Sequence, residues 1–267
     1  MRPGSIRSWR CGTNRGTGSP AFFLLVAGLS LPFWVAGAVR GGELLPGLPV
    51  SALAAVCPAA AASILIYRNS RAAGVAAFLK RSTDFNRIAN PLWYVPILLL
   101  VPALYAVAYR LMVFDRSMPE PAFNLRTIPA LAAAFFIAGL TEELGWSGYA
   151  IDPMQHRRGP LRAALLLGTF WAIWHWIPLV QAGHETAWIT WWSIGTVSLR
   201  VLHVWIYNNT GKSVFGQALF HASANLAWQL FPNASSHYDP AITAPILFIT
   251  AAVVIGAGWL RGGVRGD

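Results

Sequence analysis

Long apolar blocks alternate along this chain with short segments where arginine, glycine and proline collect. The blocks fall at about 20–39, 49–67, 91–113, 127–149, 162–181, 187–209, 213–230 and 241–260. Each is close to the ~20 residues that a helix needs to cross a bilayer. The pattern predicts an all-α fold, a polytopic membrane helix bundle of about eight transmembrane helices. Residues 1–19 are polar and carry Arg2, Arg7, Arg10 and Arg15, which predicts a disordered cytoplasmic tail. Residues 20–267 then form a single integral-membrane helical domain. A secretory signal is the alternative for the first block, with Ala36-Gly37-Ala38 as its cleavage site. The block exceeds the ~7–15 apolar residues of a signal and further spans follow, so an uncleaved helix is expected.

Between blocks, the segment 68–90 alternates apolar and basic residues: Val75, Phe78 and Leu79 against Arg71, Lys80 and Arg81. It predicts an amphipathic helix lying on the membrane surface. The second span is alanine-rich, which suits close helix packing. Trp188, Trp191 and Trp192 are expected in an outer aromatic belt, and Trp93 and Tyr94 in an inner one.

Composition sharpens this picture. The chain is 55% hydrophobic and 11% charged, where a soluble domain carries about 25% charged residues. A net charge of +10 on a soluble protein would suggest nucleic acid. Here the basic residues sit in short loops and report topology instead, so lipids and no nucleic acid are the expected partners. With the N-terminus inside, fifteen of the 20 Lys and Arg fall on the cytoplasmic side; Arg40, Arg110, Arg116 and Arg126 fall outside, and Arg200 lies within a span. Both termini are therefore expected in the cytoplasm. The alanine- and arginine-rich usage suggests a bacterial plasma membrane. Cys11 and Cys57 lack any spacing that indicates a disulfide or a metal site.

Against this apolar background Glu142 and Glu143 stand out, adjacent at the end of the fourth block. A carboxylate at membrane depth costs ~2.5–3.5 kcal/mol on insertion scales, and neighbouring carboxylates repel each other. Something nearby must compensate them. At 1.5 Å per residue, the glutamates, Arg200 and His221 all lie roughly 10–13 Å from the cytoplasmic ends of their helices. His175 comes out deeper, at roughly 20 Å. His221 and Asn225 are four residues apart and share a helix face. Trp171, Trp174 and Trp176 read as packing. His156, His184, His203 and His237 read as structural or solvated residues near the interfaces.

Three short motifs carry a resemblance. Glu142-Glu143-Leu144-Gly145-Trp146-Ser147-Gly148, Trp171-Ala172-Ile173-Trp174-His175 and His221-Ala222-Ser223-Ala224-Asn225 follow in that order, each in its own span. They resemble the E-E-x-x-x-R, aromatic-x-x-x-His and H-x-x-x-N motifs of the CAAX-protease and bacteriocin-processing (Abi) family of intramembrane endopeptidases. The resemblance covers about residues 125–232. Ser147 stands where that family has Arg, and Arg200 is the candidate to supply the missing charge.

The resemblance implies hydrolysis of a peptide bond within the membrane, near the cytoplasmic leaflet, on a membrane-associated protein or peptide. Glu142 is the expected general base, with His175 beside it, and Glu143 holds the charge balance. His221 and Asn225 are the expected oxyanion donors. His175, His221 and a glutamate are alternatively candidates to hold a divalent metal such as zinc. Two rival readings remain open. Gly145-Trp146-Ser147-Gly148 matches the G-x-S-G of rhomboid serine proteases, although there H-x-x-x-N precedes it. The chain also fits a catalytically silent scaffold or bacteriocin-immunity type protein.

Overall fold

The computed structural model describes residues 18–115, 118–120, 126–258 and 260. The expected tail lies outside them up to residue 17, and so does Cys11. Helix α1 (Gly18–Arg40) leads into a small antiparallel hairpin, β1 (Glu43–Leu45) and β2 (Leu48–Pro49). A 3-10 turn (Val50–Val56) then opens α2 (Cys57–Leu79). Short 3-10 turns between Lys80 and Trp93 reach α3 (Tyr94–Asp115). Helix α4 (Ile128–Gly145) continues through one π turn (Trp146–Ala150) into α5 (Ile151–Arg158). Then come α6 (Pro160–Gln181), α7 (Thr186–Asn209), α8 (Val214–Gln229) and α9 (Pro240–Gly256).

The protein is an all-α polytopic bundle, as the apolar blocks predict. Among the described residues, five helical stretches are long and apolar enough to cross a membrane: Pro20–Arg40, Val50–Thr83, Pro91–Phe114, Ile128–Arg158 and Pro160–Gln181. The last three helices are the less typical ones. Helix α7 is long enough, at 24 residues, but carries Arg200 and His203. Helices α8 and α9 have 16 and 17 residues, shorter than their apolar blocks. Turns shorten α8: Ser213 caps its start by accepting from Gly216 N, and a non-helical loop over 231–239 follows its end. Leu24, Phe114, Ile137, Val180 and Ile249 are exposed, so apolar surface faces outward, as it does on helices bathed in lipid.

Small residues let polar helices approach closely. A Cβ on Gly139 of α4 would lie 3.1 Å from the Cβ of His221 on α8. A Cβ on Gly168 of α6 would lie 3.0 Å from the Cβ of Arg200 on α7. These contacts draw the polar residues of four helices into one layer.

The 68–90 segment differs from the expected surface helix. The chain breaks helical geometry at Arg71 (φ 52°, ψ −160°), within α2, and 3-10 turns follow Leu79. Arg81 turns inward and joins three parts of the fold. Its guanidinium donates to Gly148 O in the π turn (2.7 Å), to Tyr207 Oη (3.0 Å) and to Lys212 O (2.8 Å). Asp84 accepts from Ser213 Oγ (2.9 Å) and Phe215 N (3.0 Å), holding the start of α8. Arg81 and Arg87 there satisfy backbone carbonyls rather than line a polar helix face. The aromatic belt is also only partial: Trp191 is exposed, but Trp188 and Trp192 line an internal cavity. Trp93 packs edge-on against Trp205, centroids 5.3 Å apart.

Candidate active site

The two glutamates have different partners. Glu143 is fully buried, and Arg200 Nη1 donates to both of its oxygens at 3.0 Å. The Ser147 hydroxyl donates to the same carboxylate from one turn along, and His221 Nδ1 lies 3.1 Å from its Oε1. Glu143 is thus saturated by cation and donors. The Arg200 guanidinium also lies over the Trp171 ring, 4.1 Å from its centroid, a favourable cation–π contact.

Glu142 is 5% exposed and lines the cavity. Its Oε2 accepts from two indoles, Trp146 Nε1 at 3.0 Å and Trp171 Nε1 at 2.8 Å. Its Oε1 receives neither indole and stands 3.9 Å from His221 Nε2. The local backbone explains the split. A π turn is wider than an α turn and recurs at functional sites. It begins directly after Gly145, and Trp146 and Ser147, each four residues on, meet Glu142 and Glu143 at ordinary helical spacing.

Trp171 ties the layer together. Beyond its bonds to Glu142 and Arg200, its carbonyl lies 2.8 Å from His175 Nδ1. A carbonyl can only accept, so His175 carries its proton on Nδ1 and leaves Nε2 as an acceptor. The Trp171 ring meets those of His175, His203 and His221 edge-on, at 5.6, 5.9 and 5.4 Å. His175 and Asn225 both line the cavity beside Glu142 and His221. All of the residues singled out in the sequence therefore belong to one neighbourhood.

Two members of that neighbourhood differ from expectation. Trp171, read as packing, hydrogen-bonds the glutamate directly. His203, read as an interface residue, is 1% exposed and 3.8 Å from Glu143 Oε1. The three-residue spacing of Arg200 and His203 was the available signal, since it puts both on one face of α7. The other two tryptophans lie further out. Trp174 donates to Ser30 on α1 (2.8 Å), and Trp176 donates to Ser193 (3.0 Å). His184, outside the spans, stacks on Trp188 with centroids 3.6 Å apart. Burial lowers its pKa, and the Glu43 carboxylate of the hairpin opposes that shift.

The cavity holds about 180 Å³. Its lining joins Glu142, His175, His221 and Asn225 to Gly47 and Leu48 of the hairpin and to Trp188 and Tyr238. Ser147 is 4% exposed, already donates to Glu143, and is not in the lining. It is poorly placed to act as the nucleophile of a serine protease.

A buried group of possible metal ligands is present. Glu143, His203 and His221 place ligand atoms within 4.8 Å of one another. His175, expected as a ligand with His221, is not in this group. The donor set fits a divalent ion poorly. Its one carboxylate is already shared by Arg200, Ser147 and His221, and an ion there would sit against a guanidinium cation. Gln217 occupies His203 Nδ1 at 2.8 Å; its amide satisfies three partners only with the nitrogen turned toward His203.

Comparison with known proteins agrees with this geometry. Residues 124–227 match the model of the type II CAAX prenyl endopeptidase Rce1-like family. The matched span contains all three motifs and Arg200. The chain is also 27% identical over 229 residues to CAAX prenyl protease 2 of Methanococcus maripaludis, covering 79% of this chain and 80% of that protein. The three motifs, gathered on α4, α6 and α8 around one buried carboxylate layer, thus fall within the span that is similar to the Rce1-like CAAX prenyl endopeptidases.

Proposed function

We propose that the protein hydrolyses a peptide bond of a membrane-associated substrate by water that Glu142 activates. The observation that carries this reading is the asymmetry of the glutamates. Glu143 is bound on both oxygens by Arg200, whereas Glu142 keeps Oε1 clear of its indole donors, beside a cavity. A general base needs a lone pair within reach of water. His175 offers a second one through Nε2, on the same cavity wall.

Attack on the scissile carbonyl moves the water proton to Glu142 and places negative charge on the carbonyl oxygen. His221 and Asn225 lie one turn apart on α8 to receive that charge. His221 Nδ1 faces a carboxylate, which can only accept, so that nitrogen carries a proton. Donation from Nε2 as well requires the doubly protonated ring. Glu142 finally returns its proton to the leaving amine. Arg200 takes the role of the Arg absent at Ser147, holding Glu143 charged from a different helix. The serine and silent-scaffold alternatives have less support: Ser147 serves Glu143, and the layer retains a base and donors beside a cavity.

The relative's name suggests the substrate class, a prenylated protein C-terminus. The test uses purified protein in proteoliposomes and a farnesylated, internally quenched peptide with a C-terminal CAAX sequence. Cleavage is expected with excess EDTA present, and Ser147→Ala is expected to retain it. Activity that EDTA abolishes and zinc restores would overturn the metal-free reading. Activity that Ser147→Ala alone abolishes, with unchanged folding, would point to serine chemistry.

A further inference from the structure

The cavity lining is one-sided. Leaving the catalytic layer, it runs to the hairpin end of the bundle through Ala55, Ser51, Pro49, Leu48 and Gly47. No residue of the 80–93 segment or of the α7–α8 turn lines it. The end of the bundle that Arg81 clamps contributes nothing to this lining, although it is nearer to the glutamates along α4.

We propose that the substrate reaches Glu142 from the hairpin end and lies extended along β2 and the 3-10 turn behind it, with Ser51 hydrogen-bonding its backbone. This rests on the endopeptidase reading above. A peptide bond inside a helix has its carbonyl engaged by the chain itself, so hydrolysis needs an extended segment, and an extended segment needs partners for its backbone.

This wall offers such partners. Among the described residues β2 pairs only with β1, which leaves its other edge unpaired, and strand addition to a free edge is a common mode of peptide capture. Pro49 lacks a backbone N–H, which weakens that edge as a donor. Ser51, two residues on, has a hydroxyl that is fully buried, lines the cavity and has no hydrogen-bond partner among the described residues. An unpaired buried hydroxyl is costly, and a substrate amide or carbonyl satisfies it.

The roof over this path is tight. Gly47 has φ +75°, and a Cβ there would lie 3.2 Å from Ser235 Oγ and 3.5 Å from the Trp228 ring. Ser235 belongs to a run of left-handed residues, Asn233, Ala234 and Ser235, with φ of 53°, 50° and 69°. Such conformations are disfavoured for residues with a Cβ. The family match spans residues 124–227, so hairpin and Ser51 lie outside it, where this chain can set its own preference.

The test places a photo-crosslinking benzoylphenylalanine at Leu48, or at Phe85 on the opposite end, in the Glu142→Gln protein. The probe is the farnesylated peptide carrying a fluorophore, added to proteoliposomes. A crosslink from Leu48, competed by unlabelled peptide and absent from Phe85, is the expected result. No competed crosslink from Leu48, whatever Phe85 does, overturns the proposal. In the otherwise wild-type protein, Ser51→Ala is expected to raise KM by about 2–10-fold, the value of one hydrogen bond, with kcat unchanged. An unchanged KM removes Ser51 from the path. If the wild-type protein cleaves nothing while Leu48 still crosslinks, the proposed activity fails and the docking path stands.

Discussion

The site turns on how a pair of adjacent carboxylates is made tolerable. Arg200 and Glu143 are both almost wholly buried, so neither can be solvated if the other is lost. Removing one partner of such a pair costs about 3–5 kcal/mol. Arg200→Leu is therefore expected to destabilise the protein by that amount, measured by thermal unfolding in detergent. Restoring charge from α4 with Ser147→Arg in the same chain is expected to recover part of the loss, since Ser147 already touches Glu143. Arg200→Leu with wild-type stability would show that Glu143 is balanced some other way. Asn225→Ala is expected to lower turnover by ~10²–10³ if its amide binds the oxyanion, with folding unchanged; full activity would exclude Asn225. At this scale the sequence was legible where burial is costly. The glutamates, Arg200, His175 and His221 stand out because apolar spans rarely hold such groups. His203 and Trp171 were not legible, because a lone histidine or tryptophan in an apolar helix has many harmless explanations.

Among the elements, the apolar blocks matched the helices well because bilayer thickness dictates their length. Three features had no comparable signal. The π turn after Gly145 depends on where Glu142, Glu143, Trp146 and Ser147 find their tertiary partners. The shortness of α8 comes from capping by Ser213 and Asp84. The inward turn of Arg81 comes from carbonyls on distant segments. Close packing of α4 gives a sharp test of the element's placement. A Cβ on Gly145 would lie 2.4–2.6 Å from the Cβ, C and O of Pro58 at the start of α2, and backbone there cannot move aside cheaply. Gly145→Ala is expected to destabilise by about 1–3 kcal/mol, the usual cost of overpacking, and to impair turnover by shifting the adjacent glutamates. An unchanged melting temperature would contradict the α2–α4 contact.

Over the whole molecule, charge and cavity point in opposite directions. The basic loops gather at the end that Arg81 clamps, whereas the cavity runs to the hairpin end. The charge bias predicts both termini in the cytoplasm; reporter fusions at Gly183 and Ser236 are expected to face outward and a fusion at Arg158 inward. A cytoplasmic signal at Ser236 would reverse the topology. Either orientation leaves the chemistry unchanged, because the catalytic layer is defined by contacts between helices. The account stands or falls on the division of labour between the glutamates. The direct measurement is the rate of cleavage of the farnesylated reporter peptide by Glu142→Gln and Glu143→Gln, each with its unfolding temperature. Glu142→Gln is expected to lose at least ~10²-fold in kcat at an unchanged unfolding temperature, while Glu143→Gln, which leaves Arg200 buried without its anion, is expected to unfold at a lower temperature. A Glu142→Gln protein that cleaves at the wild-type rate would contradict the account.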